Sequence, residues 1–273
     1  MGLSSNVLWH QTKKEGFFKI LKSRKILYSY SLEKPFPLKD DEGIAFPMIS
    51  LSDIPICEMP HNKWAYGDYA IGFSRDWGNR NKFAPVWYCE RTSNVYKLLF
   101  NLMIKTLEDA EKNDEKSEEL KKRLGNYLYL FSNVKSVQGP LPKRKYINYR
   151  FYDEREYRLV PLKPDLDREG YELVLFEEGY NNYKKDHKKS SCLDFGLDFT
   201  LEDVKYLIVK SESNKNEVDK ILRKYKETSH IHVFTKAQIL EDLIGIEHNV
   251  KVGVDNINPL SFDELAKFFG LNH

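Results

Sequence analysis

The sequence predicts an α+β protein: a strand-rich core over residues 1–175, interrupted by a helical insertion over about 92–138, and a C-terminal α/β segment over 176–273. Three observations carry this. Apolar runs of strand length, bounded by turn residues, recur at 7–12, 44–53, 69–73 and 85–89. Tyr96, Leu99, Phe100 and Met103 then form an i, i+3, i+4, i+7 stripe, the signature of an amphipathic helix. Beyond residue 199, strand-like and helix-like runs alternate.

Composition narrows the function classes. Hydrophobic residues make up 41% of the 273, enough for a packed core and too many for a disordered chain. The 43 basic and 41 acidic residues nearly cancel to +2, so no overall cationic coat for nucleic acid is expected, only local patches. Cys57, Cys89 and Cys192 are odd in number and far apart, which suits a reducing compartment and neither a disulfide framework nor a zinc site. With no signal-peptide pattern and no apolar run of about 18 residues, the expectation is a soluble cytoplasmic protein without membrane contact.

In chain order, Val7–Thr12 reads as a strand, with His10 near its end and Thr12 just past it, where polar groups reach into clefts. Phe17, Ile20 and Leu21 follow at helical spacing, and Ile26-Leu27 returns to extended chain. Residues 31–43, with Pro35, Pro37 and Asp40-Asp41-Glu42, form a loop. Ile44–Asp53 is a strand on which alternation sends Ser50 and Ser52 to one side. A short helix is expected around Trp64, a turn at Gly67-Asp68 and a strand from Tyr69 to Phe73. Trp64, Tyr66 and Tyr69 could floor a pocket, although dense aromatics more often build core. Asn79–Lys82 is a turn and Pro85–Cys89 a strand.

After the stripe of residues 96–103, the charged run 107–124 reads as a solvated helical hairpin about Asn113, broken by Gly139-Pro140. Further on, 171–176 looks extended and 179–191 is a lysine-rich loop. Strands follow at 204–209 and 231–234, helices at 214–225 and from Lys236. A capping box at Ser261 leads a last short helix to Gly270.

The stretch the rest is organised around is Phe151–Val160. Strand alternation would put Glu154, Glu156 and Arg158 on one face and Arg155, Tyr157 and Leu159 on the other. Two adjacent carboxylates repel, raising the pKa of one unless Arg158 or a ligand compensates. The plain alternative is a solvated strand face with charge pairing along it. Just before it, Lys143, Arg144, Lys145, Tyr146 and Arg150 interleave cations with an aromatic ring, a pattern that suits a phosphate backbone and base stacking; the alternative is a solvated loop. A divalent-metal nuclease using Asp153, Glu154 and Glu156 is the weaker reading, because one strand cannot easily aim adjacent side chains at one ion.

Taken together, Leu8-Trp9-His10-Gln11-Thr12, the helix with Ile20-Leu21-Lys22, Ile44–Ser50, Ser52–Pro55, Tyr66–Phe73 and Tyr152–Arg158 resemble the AbiGi family of bacterial abortive phage-resistance systems, described as antitoxins. The resemblance spans about 7–245 apart from the charged insertion. The same order (His-x-Thr, a serine-bearing strand, Glu-x-Glu) is similar to NAD-dependent ADP-ribosyltransferases, toxins that modify DNA or RNA among them.

That second resemblance implies a split mixed/antiparallel sheet and an NAD-consuming toxin of a phage-defence or toxin–antitoxin system. It implies Glu156 as catalytic group, Glu154 as acceptor-side base, and His10, Thr12, Ser50, Ser52, Trp64, Tyr66 and Tyr69 around NAD, with no metal. Its acceptor would be RNA or DNA, less readily protein, and its partner a cognate antitoxin or neutralising protein. A fixed carboxylate would stabilise the cation that develops at the ribose. The competing implication is a catalytically silent antitoxin or sensor of the same fold that acts by binding protein.

Overall fold

β1 (Val7–Thr12), α1 (Lys14–Ser23) and β2 (Lys25–Glu33) open the chain of a computed structural model that describes residues 5–34, 43–59, 66–90, 92–112, 118–141, 146–188, 190–225 and 228–241. Several expectations lie outside the described residues: the Pro35–Glu42 loop, the helix around Trp64, the hairpin about Asn113, Lys143–Lys145 and the helix at 261–270. α1 buries Phe17, Phe18 and Leu21. It ends where Arg24 turns left-handed and returns its N–H to the Ile20 carbonyl, so β2 folds straight back.

β3 (Ile44–Ser52) is the hub. Its first half bonds β2, Ala45 opposite Leu32, and on the other edge β11 (Leu175–Phe176), Ala45 opposite Leu175. Its second half carries Ser52 between Trp9 of β1 and Glu156 of β10 (Glu156–Leu159). One strand buried along most of its length thus has four partners, which explains its nearly unbroken apolar run.

From β1 the sheet continues through β4 (Tyr69–Ser74) to β13 (Val204–Val209) and β14 (His232–Thr235). β12 (Cys192–Asp198) closes the opposite edge against β2, and β5 (Ala84–Pro85) adds to β10. All pairings within this ten-stranded sheet are antiparallel except β13 with β14. Among the described residues past 176, β12, β13 and β14 belong to the same sheet. The core joins Leu8, Phe17, Phe46, Leu51, Phe73, Trp77 and Leu207 in one cluster, with Trp9, Ile54 and Ile208 in a second.

The predicted insertion is two helices, α3 (Asn94–Lys112) and α4 (Glu118–Phe131), leaving from β6 (Trp87–Cys89) and returning into β7 (Val134–Ser136). β6 and β7 pair in parallel; β6 falls on the strand expected at 85–89, whereas β7 lies within the span expected to be helical. β8 (Gly139–Leu141) and β9 (Tyr146–Tyr149) make a second small ladder, so Tyr146 begins a strand.

One element was not foreseen, and two expectations are corrected. Arg75–Arg80 forms a helix, α2, capped by the Ser74 hydroxyl accepting from the Trp77 N–H; its six residues are too few to show a period. Only Leu175-Phe176 of the 171–176 run is strand, preceded by α5 (Lys163–Glu169) ending at the left-handed Gly170. The lysine-rich stretch is α6 (Glu177–Asp186), which buries Tyr180 and is followed by an exposed turn. Last, α7 (Glu212–Leu222) packs Val218, Ile221 and Leu222 inward.

Candidate functional site

At β10 the strand begins only at Glu156. Phe151–Glu154 is a tight helical turn, and Arg155 at φ 44° breaks the extension between the glutamates. Glu154 and Glu156 therefore do not share a face by strand alternation. They share a cation instead: Lys135 of β7 donates to Glu154 Oε2 at 3.0 Å and to Glu156 Oε2 at 2.7 Å. Phe151 covers this ammonium, its ring centroid 4.7 Å from Nζ.

Arg158, whose side chain is fully buried, holds Glu156 from the other side. Its Nε donates to Oε1 at 2.8 Å and its Nη2 to Oε2 at 3.1 Å. The same guanidinium forks onto Glu33 at the end of β2 and donates to the Ser132 carbonyl. Tyr66 donates to Glu154 Oε1 at 2.6 Å, and the Tyr88 hydroxyl accepts the Glu156 N–H at 2.8 Å. Three carboxylates and two cations from β2, β7, β10 and the turn before it form one connected network.

The electrostatics follow from that wiring. Burial works against the charged form of Glu156, but Arg158 and then Lys135 overcome it and hold its carboxyl well below the usual carboxylate range. Burial likewise opposes the charge on Lys135, and Glu154 and Glu156 nevertheless raise its pKa well above the ordinary lysine value. Tyr66 is pushed up, by burial of its hydroxyl first and by both glutamates.

The signs fix a pH dependence. With its folded pKa depressed, Glu156 stabilises the fold fully above the unfolded carboxylate value of about 4.3, and that contribution is lost as pH falls through the folded value. Lys135, raised, stabilises below its unfolded value of about 10.4 and loses its contribution as pH climbs through the folded one. These two groups should make urea midpoints fall at both extremes, and buried His10, its pKa lowered, adds a loss that begins as pH drops below its unfolded value of about 6.5. Glu156→Gln should flatten the acid limb, and an unchanged acid limb would remove Glu156 from the ledger.

The remaining predicted residues are spread around this centre. His10 sits beside β3, its Nδ1 3.2 Å from the Ser50 carbonyl, and burial lowers its pKa. Ser50 and Ser52 stand opposite Arg158 and Glu156 in the β3–β10 register. Thr12 ends β1 opposite Tyr69, whose hydroxyl donates to Asn214 of α7 at 2.9 Å rather than to the glutamates. Arg150 is exposed, paired with Asp153 at 3.2 Å and stacked over Tyr152. Trp64, Lys143, Arg144 and Lys145 lie outside the described residues. Among the described residues no group of three or more His, Cys, Asp or Glu is placed to hold a metal ion, and no helix is long and apolar enough to cross a membrane.

Sequence reasoning missed Lys135, Glu33 and Tyr88. Lys135 fell inside the span expected to be helical, and its only signal was the alternation Val134-Lys135-Ser136-Val137.

Fold and site define a mixed α+β protein with a mostly antiparallel sheet and a buried ion network at its hub. Residues 25–210 match the family described as "Putative abortive phage resistance protein AbiGi, antitoxin", and the chain belongs to that family. Comparison with curated proteins and with solved structures gave no match. The family's description overturns the expectation of an NAD-dependent ADP-ribosyltransferase toxin: it names the neutralising member of such a system.

Proposed function

We propose that this chain is the antitoxin of an abortive phage-resistance pair and restrains its cognate toxin by binding it. The antitoxin description of the family, matched over 25–210, carries the reading. The internal pairing of Glu156 supports it. A carboxylate clamped by Arg158 and Lys135 is suited to fixing β10 against β3 and β7, and less to meeting charge that develops on a substrate. In this reading, the transferase-like order of first strand, serine-bearing strand and Glu-x-Glu serves as a scaffold, and NAD has no part in neutralisation.

The test is growth. Induced alone, this chain should leave cells growing normally. Induced with the protein encoded by the adjacent gene, it should relieve that protein's growth arrest, and Glu156→Gln should relieve it to the wild-type level. Growth arrest by this chain alone, abolished by Glu156→Gln, would overturn the reading.

A further inference from the structure

The α3–α4 hairpin leaves an apolar surface at its base. Val95, Leu98 and Leu102 fall at i, i+3 and i+7 on α3, and Val95 and Leu98 are each 63% exposed. They are not the core stripe: Tyr96 and Met103 of the same helix are buried on its other side. Two more exposed large side chains lie at this end. α3 begins five residues after β6 and α4 ends three residues before β7, and β6 and β7 are paired, so the start of α3 and the end of α4 share the hairpin's base. There Trp87 and Leu130 are nearly half exposed, and the Trp87 N–H donates to Asn133, whose own N–H donates to the Leu130 carbonyl.

The largest contiguous exposed apolar patch of a monomer is often a functional contact surface, whereas singly scattered apolar side chains are ordinary. Its flank has one sign. Between Asn94 and Leu107 the only charged residues are Lys97 and Lys105, both exposed, and Leu124–Phe131 of α4 carries no charge at all. The acids flanking it in sequence, Glu90 in the loop before α3 and Glu108 and Asp109 farther along the helix, lie beyond the two ends of the Val95–Leu102 stripe. A stripe about 10 Å long on one helix is the ridge onto which a second helix packs.

We infer that this face of α3 docks an amphipathic helix of the cognate toxin, one whose apolar side is bordered by carboxylates that meet Lys97 and Lys105. The inference rests on the antitoxin reading and gives that reading its contact surface. It places binding on the hairpin, remote in role from the Glu156 network.

The experiment uses the full chain, tagged and co-expressed with the protein of the adjacent gene. Wild type should retain that protein, with an affinity that weakens as salt rises. Leu98→Glu/Leu102→Glu should weaken retention by about tenfold or more, the loss expected for central apolar anchors, and abolish growth rescue. Lys97→Glu/Lys105→Glu should weaken retention and remove its salt dependence. Because all four side chains are exposed, melting temperatures should match wild type, which separates lost docking from lost folding.

Full retention by the leucine variant, with wild type binding and rescuing, would overturn this docking face and leave the antitoxin reading intact. Failure of wild type itself to bind and rescue would overturn the reading and this face together. A wild-type dimer in light scattering that the leucine variant converts to monomer would assign the face to a second copy of this chain instead.

Discussion

Arg158→Met should be among the most destabilising single substitutions in this protein, lowering unfolding free energy by about 3–5 kcal/mol, the range for breaking a buried ion pair from one side. Methionine fills much of the arginine volume, so the loss is not mainly a cavity. It is the stranding of Glu156 and Glu33, which lose the guanidinium between them, and of the Ser132 carbonyl, which loses its donor. For a chain of this size the change corresponds to a melting temperature lower by on the order of 10 °C. The pH response should also invert near the acid side. Without Arg158 the pKa of Glu156 moves up, so part of the deficit should be recovered as pH falls toward 4, where wild type loses stability. Arg158→Met/Glu156→Gln should recover part of the deficit at neutral pH, because it removes one of the stranded charges along with the cation. A deficit below about 1 kcal/mol for the single variant would mean that the network is solvated and holds nothing together.

The residues of that network show what a sequence can and cannot disclose. Ser50 with Ser52, and Glu156 with Arg158, were legible as sharing a face because alternation is local to a strand; the β3–β10 register that sets Ser50 opposite Arg158 and Ser52 opposite Glu156 was not. Even the need for a compensating Arg158 follows from two neighbouring carboxylates alone. Lys135 was not legible. It comes from a three-residue strand that follows α3 and α4, and nothing local to Val134–Ser136 announces that β7 will pair with β6 beneath Glu154. The face of Glu154 was misjudged for a different reason. A left-handed Arg155 inserts a break that no alternation rule can foresee, and the two glutamates reach one lysine through that break. Function was misjudged at a coarser level. The order His10, Ser50, Glu156 describes a scaffold, and a scaffold is compatible with a toxin or with the protein that restrains one.

Gly67→Ala should be comparably damaging, by roughly 2–6 kcal/mol, although it removes no contact. Gly67 has φ 153°, and a β-carbon there would collide with the Thr12 carbonyl oxygen and carbon and with the Lys13 nitrogen. These are backbone atoms at the end of β1, pinned by the Thr12–Tyr69 pairing, so they cannot yield as a flexible side chain would. The chain crosses the end of β1 at this point to enter β4, and the preceding residue, Tyr66, reaches Glu154 from that crossing. An added methyl group must therefore lift either the β1–β4 ladder or the tyrosine. Tyr66→Phe separates the two, since it deletes only the hydroxyl and should cost about 1–3 kcal/mol by leaving Glu154 short of a donor. If Gly67→Ala acts by lifting Tyr66 alone, adding Tyr66→Phe to it should cost nothing more. If it strains the ladder as well, the Gly67→Ala deficit should exceed that of Tyr66→Phe, with faster amide exchange along Val7–Thr12 as its signature. The backbone collision argues for the second outcome, and a Gly67→Ala protein as stable as wild type, with unchanged exchange in β1, would show that the crossing is not tight.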